Sequence, residues 1–284
     1  MNGPTDADDL TLFAHRGFAG ENPENTVAAV EAAAGAADST VRRRTDRIEI
    51  DVVPTADGDV VVLHDVDLAA RTDAAGIVWE TDTETVTGAE VLDSGETVPL
   101  LADVLDAVPT DIGVNVELKN PGQWDLRPGE KLDGGALAER TAVWRPFVER
   151  VLTVTDDTDH DLLFSSFCEG ALAAVRALST HRVAPLLSGS IEDGLAMARA
   201  HDAAAVHPPI DMVRGTPFFD ASRFGDDPPH ADAGLPVPDD ATLVSVAHAE
   251  GRDVNVWTVE TWYQADRLAA VGVDGVIADY SALL

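Results

Sequence analysis

The sequence predicts a (β/α)8 barrel, an α/β fold of the TIM type, with a small cap-like insertion. Three observations carry this. Eight short apolar runs alternate with helical stretches, the order that builds a parallel sheet wrapped by helices. Side chains able to do chemistry stand at the ends of those runs, where such barrels gather their sites. The length, 284 residues, is long enough for two average domains but ordinary for one barrel.

Residues 1–10 read as a loose acidic tail, and 11–284 as one barrel domain. The first strand, 12–15, ends at His15-Arg16 just before Gly17, where the chain turns. The alanine-rich stretch 25–37 reads as a helix, with Pro23 before it and Gly35 near its end. Residues 47–53 form the second strand. The connection 54–59 contains the turn signal Asp57-Gly58 and is too short for a helix. The run at 60–64 therefore either forms a hairpin with 47–53 or crosses over tightly. A hairpin centred on Asp57 would set His64 level with Ile50. Residues 66–98 are polar and irregular, interrupt the repeating pattern, and read as the insertion. A helix follows at 100–107.

The remaining strands are expected at 112–118, 161–167, 182–187, 203–207, 253–258 and 274–278, with helices at 134–155, 169–179, 192–202, 239–250 and 261–271. The repeat of about 30 residues marks the barrel rather than a solenoid. Two long loop-like segments, 120–134 and 210–240, follow strand ends and are expected to wall or cover a pocket.

Fifty-one acidic residues stand against 19 basic ones, a net charge of −32. A chain this acidic suits molar salt, where the Debye length is about 3 Å and self-repulsion is screened. Nucleic-acid binding is excluded as an expectation, because phosphates need a basic surface. The basic cluster Arg42-Arg43-Arg44 with Arg47 reads as a solvated turn balancing acidic neighbours. No run reaches the roughly 18 apolar residues of a membrane span, so no stable membrane insertion is expected. Residues 1–9 do not resemble a secretory signal, and Cys168 is the only cysteine, which excludes an internal disulfide. A cytoplasmic location is the expectation. Oligomeric state is not encoded in any pattern found.

Glu49 and Asp51 lie two apart on one strand, so their side chains face the same way. Two carboxylates aimed at one spot in a core call for a cation. Glu117 ends another apolar run and completes a candidate oxygen site for Mg²⁺ or Ca²⁺. A surface salt-bridge network is the alternative, but the flanking Ile48, Ile50, Val52, Val116 and Leu118 are not those of a solvated face. His15 and His64, at strand ends beside these carboxylates, suit proton transfer near neutrality. Arg16 offers a planar fork for phosphate oxygens and Lys119 a point charge, although Lys119 could also simply pair with Glu117. His207 ends a strand and is given no role. Ser165 and Ser166 lack a G-x-S-x-G elbow, so a serine hydrolase is not supported.

At these same residues the chain resembles a known family. His15-Arg16-Gly17, Pro23-Glu24-Asn25-Thr26, Glu49-Ile50-Asp51, Thr55-Ala56-Asp57-Gly58, His64-Asp65, Glu117-Leu118-Lys119, Ser165-Ser166-Phe167, Val256-Trp257-Thr258-Val259 and Asp274-Gly275-Val276-Ile277 are similar, in order, to motifs of the glycerophosphodiester phosphodiesterases. The chain departs from that pattern at Glu260, where an asparagine is usual. It departs again at Ala278 and Tyr280-Ser281, in place of the usual threonine and proline. The resemblance implies metal-dependent hydrolysis of a small-molecule glycerophosphodiester to sn-glycerol 3-phosphate and an alcohol. It implies that His15 and His64 share base and acid duty, here assigned in that order. It also implies that Trp257 lines the glycerol side of the pocket, a plain core tryptophan being the other reading, and Phe167 at the end of its own strand reads similarly. Either water or the glycerol 2-hydroxyl can then be the attacking oxygen. A lipid-cleaving phospholipase D of the same barrel type, or a non-catalytic barrel binding phosphodiesters, are the other readings the residues allow.

Overall fold

A computed structural model describes residues 7–35, 44–225 and 241–284. Its frame is eight parallel strands: β1 (Thr11–His15), β2 (Arg47–Pro54), β4 (Gly113–Leu118), β5 (Leu162–Ser166), β6 (Arg182–Pro185), β7 (Ala205–Val206), β8 (Asp253–Val259) and β9 (Gly275–Ala278). They pair in the order β6-β5-β4-β2-β1-β9-β8-β7. The ends of this path meet, because Leu186 bridges His207 in parallel and His207 N–H donates to the Pro185 carbonyl at 2.9 Å. The sheet is thus a closed (β/α)8 barrel.

The helices that cover it are α1 (Val27–Ala33), α3 (Leu101–Ala107), α4 (Gly134–Thr155), α5 (Glu169–Leu178), α6 (Ile191–Ala200), α8 (Leu243–Ala249) and α9 (Trp262–Ala269). A short α7 (Ala221–Phe224) lies in the loop after β7. The cap of α9 is readable in the chain: the Thr261 hydroxyl accepts from Gln264 N–H and the Gln264 side chain returns to the Thr261 backbone. Helix α1 begins two residues later than expected. Asn25 sits at φ +59° and spends its side chain on Asp51, so Thr26 becomes the cap and Val27 the first helical residue.

The short β3 (Val60–Val62) pairs antiparallel with the end of β2, Val52 opposite Val62 and Pro54 opposite Val60. The hairpin, not the crossover, is the geometry adopted. Residues 66–98 extend from it through 3₁₀ turns at Leu68–Ala70 and Val78–Glu80 and the single-turn α2 (Thr83–Thr87). This segment has its own small core, with Leu68, Val78, Val86 and Val91 packed on Val53 and Val61.

One expectation needs adjusting at the N-terminal side. Ala7–Asp9 form a 3₁₀ turn and Leu10 is fully buried, so order begins before residue 11, driven by that leucine. Of the basic cluster, Arg42 and Arg43 lie outside the described residues. Arg44 pairs with Asp111 at 2.6 Å at the surface, and Arg47 pairs with Asp161. Residues 1–6 and the 226–240 part of the second long loop also lie outside. Among the described residues no helix is long and apolar enough to cross a membrane.

Alternation along the strands sorts the side chains. Ile48, Ile50, Val52, Val114, Val116 and Leu118 are buried in the main core between sheet and helices. Each contributes about 1.5–3 kcal/mol of burial, which holds the two central strands in one register. The intervening residues, Glu49, Asp51, Asn115 and Glu117, must then face the barrel interior. Below them the interior is closed by Phe13, Leu163, Ala184, Ala205 and Ile277.

Candidate active site

Strand register decides which interior groups become neighbours. His15 on β1 stands level with Glu49 on β2, and Glu49 with Asn115 on β4. One step toward the strands' C-terminal ends, Asp51 stands level with Glu117, and Glu117 with Ser165 on β5. Glu49, Asp51 and Glu117 are all buried, and each offers an oxygen within 4.8 Å of the others.

Two cations lie against this cluster. Lys119 Nζ is 2.8 Å from Glu117 Oε1 and 3.5 Å from Asp51 Oδ1. Arg16 Nε is 3.2 Å from Asp51 Oδ2, and the same guanidinium donates to Glu24 Oε1 at 3.0 Å. Arg16 N–H also donates to Glu49 Oε2 at 3.1 Å. That contact requires the turn after β1. Arg16 and Gly17 both have positive φ, and a Cβ on Gly17 would lie 2.7 Å from the Ala29 side chain on α1.

The charges are unequal in their comfort. Burial drives the Glu49 carboxyl well above its ordinary range, and the Asp51 and Glu117 charges drive it further. Burial acts on Asp51 too, but Lys119 and Arg16, with the Asn25 amide at 2.9 Å, hold it well below the ordinary range. Burial also raises Glu117, with Lys119 opposing. Burial alone would lower Lys119, yet Glu117 and Asp51 hold it above its ordinary value. Fully ionised, the three close carboxylates outnumber the two cations and leave a net negative centre. Glu49 Oε1 is buried in it without a hydrogen-bond partner. A hard-oxygen donor set with an unpartnered buried lone pair is compatible with a divalent metal.

His15 and His64 border the same space. His15 Nε2 is 4.0 Å from Glu49 Oε2, and its Nδ1 is 2.6 Å from Asp279 Oδ1. His64 Nδ1 is 3.2 Å from Asp65 Oδ1, and burial, foremost, lowers its pKa. Asp65 is shared with Arg71 from the insertion, 3.0 Å away, which also approaches Glu24 at 3.4 Å. A cleft of ≈ 100 Å³ opens between these groups, lined by His15, Arg16, Glu49, His64, Asn115, Glu117, Lys119, Phe167 and Trp257 among others. Phe167 meets Trp257 edge to face at 5.5 Å, Lys119 lies 5.8 Å from the Phe167 ring centre, and the Trp257 indole N–H donates to the His207 carbonyl at 2.8 Å.

Eight of the nine residues singled out from sequence line this cleft, and the ninth, Asp51, lies buried behind it. Neither long loop contributes a lining residue among those described. The described part of 210–240 instead lines a separate cavity of ≈ 290 Å³ with Met212, Arg214, Phe219 and Phe224. Reasoning from sequence missed Asp279, Arg71 and Asn115, and named Asp65 only within the His64-Asp65 motif, without a role. Asp279 closes the stretch Asp274 to Asp279 at the end of the last strand, the one signal that could have marked it.

A model of the Glycerophosphoryl diester phosphodiesterase family matches residues 15–283. A glycerophosphodiester phosphodiesterase of Bacillus altitudinis is 27% identical over 282 residues, covering 95% of this chain and 94% of that protein. One from Caldanaerobacter subterraneus subsp. tengcongensis is 27% identical over 281 residues, covering 94% and 93%. Among solved structures, an Oleispira antarctica phosphodiesterase in complex with the product sn-glycerol-3-phosphate superposes with a TM-score of 0.69. Its identity is 24%, over 97% of this chain and 95% of that one.

Proposed function

The chain belongs to the glycerophosphoryl diester phosphodiesterase family, and from that premise we propose that this cleft hydrolyses small-molecule glycerophosphodiesters to sn-glycerol 3-phosphate and an alcohol. The observation that carries the proposal is the convergence of three buried carboxylates, two histidines and two cations at the C-terminal ends of adjacent strands. Family membership makes the chain a phosphodiesterase. The residue roles are the proposal.

Glu49, Asp51 and Glu117 would hold a divalent cation, Mg²⁺ or Ca²⁺. When bound, the cation supplies charge neutralisation at the phosphate. Arg16 and Lys119 bind the remaining phosphate oxygens. Each is already tied on one side to a carboxylate, so it is oriented before substrate arrives. His15 and His64 move protons, one taking it from the attacking oxygen and the other delivering it to the leaving alkoxide. The Phe167–Trp257 edge-to-face pair offers an apolar wall for the glycerol carbons. The acidic surface favours a cytoplasm rich in salt as the working medium.

The test is turnover of glycerophosphocholine with added Mg²⁺ or Ca²⁺ and with chelator. Release of sn-glycerol 3-phosphate that is lost on chelation and restored by metal is the expected result. No product from any of a panel of glycerophosphodiesters would overturn the reading. Release of choline from lysolipids alone would move it to the lipid phosphodiesterase.

A further inference from the structure

Asp279 follows the last barrel strand and His15 ends the first, 264 residues earlier, yet closure of the barrel sets β1 and β9 side by side. Their side chains meet at 2.6 Å, Asp279 Oδ1 to His15 Nδ1. This is a short contact, of the kind a ring N–H makes with a carboxylate. We propose that Asp279 is the positioning residue of His15: it holds the imidazole through Nδ1, so that Nε2 is the ring atom presented to the cleft.

The anchor is itself held from several sides. Asp279 N–H donates to the Val259 carbonyl at 3.2 Å, and its carbonyl accepts from Gly20 N–H at 3.0 Å. The next residues are clasped to the loop after β1. Ser281 N–H and Oγ both donate to Glu21, at 2.7 Å to Oε1 and 3.0 Å to Oε2, and the Tyr280 ring packs on Gly20, where a Cβ would come within 2.4 Å. A proline at 281 has no N–H and no hydroxyl, so it could not make this clasp. The turn carrying the carboxylate is therefore bound to the same loop that leaves His15.

The two histidines differ in how they are held. Asp65, beside His64 at 3.2 Å, shares its charge with Arg71. Among the described ion pairs, Asp279 has His15 and no lysine or arginine. Its charge is thus directed to one imidazole. A carboxylate on Nδ1 selects the tautomer with the proton there and leaves Nε2 free to exchange one with substrate.

The kinetic arm of the test rests on the phosphodiesterase reading; the spectroscopic arm does not. With glycerophosphocholine, Asp279→Ala and Asp279→Asn are expected to lower kcat about 100-fold, with KM and metal affinity within threefold of wild type. The near-isosteric asparagine is expected to be as damaging as alanine, because it loses the charge and offers a donor toward Nδ1. A purely structural role would spare it. In a His15→Ala background, Asp279→Ala should cost nothing further. Nitrogen-15 imidazole spectra should show a low-field proton on His15 Nδ1 that vanishes in Asp279→Ala. A kcat within threefold of wild type, an equal loss in the His15→Ala background, or a wild-type His15 without an Nδ1 proton would each overturn the proposal. If wild type hydrolyses no glycerophosphodiester, the functional reading fails, and the imidazole spectra alone decide the pair.

Discussion

Glu117→Gln is the sharpest probe of the carboxylate cluster, because it removes one charge and keeps the shape. Glu117 reaches Asp51 from a neighbouring strand, in register with it, and its other close partner is Lys119 at 2.8 Å. With all three ionised, as a bound cation favours, the carboxylates against Arg16 and Lys119 leave one net negative charge; the glutamine leaves none. At an effective dielectric of about 20, a unit charge pair 4 Å apart is worth about 4 kcal/mol. Loss of one such attraction to a dication is therefore large even after solvation takes back most of it. Partners outside the ligand set already change metal affinity about 10–100-fold, so a ligand should change it at least about 100-fold.

Without metal the sign differs. Burial raises the Glu117 carboxyl, with Lys119 opposing and Asp51 adding, so ionising Glu117 costs the fold more than it costs the unfolded chain. The glutamine variant should then melt within about 2 °C of wild type. Metal at 100 times the wild-type Kd should stabilise wild type by about 2.7 kcal/mol, but a 100-fold weaker variant by only about 0.4 kcal/mol. That difference is about 5 °C or more in Tm. Calorimetric titration and melting with and without Mg²⁺ or Ca²⁺ measure both. Equal Kd values and equal metal-induced shifts would remove Glu117 from the ligand set.

Further outcomes can be stated from the same geometry. His64→Ala should lower kcat by about 10²–10⁴ while metal affinity stays within threefold; wild-type turnover in this variant would make His64 structural. His207 is wholly buried beside Asn255, and burial lowers its pKa to about 3. The unfolded chain takes up that proton near pH 6.5 and the fold does not until about pH 3. Its stabilising contribution is therefore complete above about 6.5 and declines below it by about 1.4 kcal/mol per pH unit. His207→Gln should show a shallower acid loss in denaturant titrations, and identical slopes would refute this. With a net charge of −32, the fold should weaken as KCl is withdrawn from molar levels, seen by circular dichroism; equal stability at low and molar salt would sink the salt-adaptation reading.

The sequence by itself determined what each strand presents. Alternation places Glu49 and Asp51 on one face with Ile48 and Ile50 on the other, and the same rule carries Glu117 and Lys119. These are local facts, because side-chain direction along a strand depends only on parity. The turn signal at Asp57-Gly58 located the connection after the second strand but left hairpin and crossover open, and only the pairing of β3 with β2 decided it. Which strands lie side by side, and at what stagger, depends on packing over the whole core and has no local signature. Only the tertiary structure could set Asp51 level with Glu117, bring Arg71 from the insertion to Asp65, and turn Asn25 to φ +59° over Asp51. The contact between His15 and Asp279 depends on it most. It exists because eight strands close into a ring, and closure makes neighbours of the two ends of the chain.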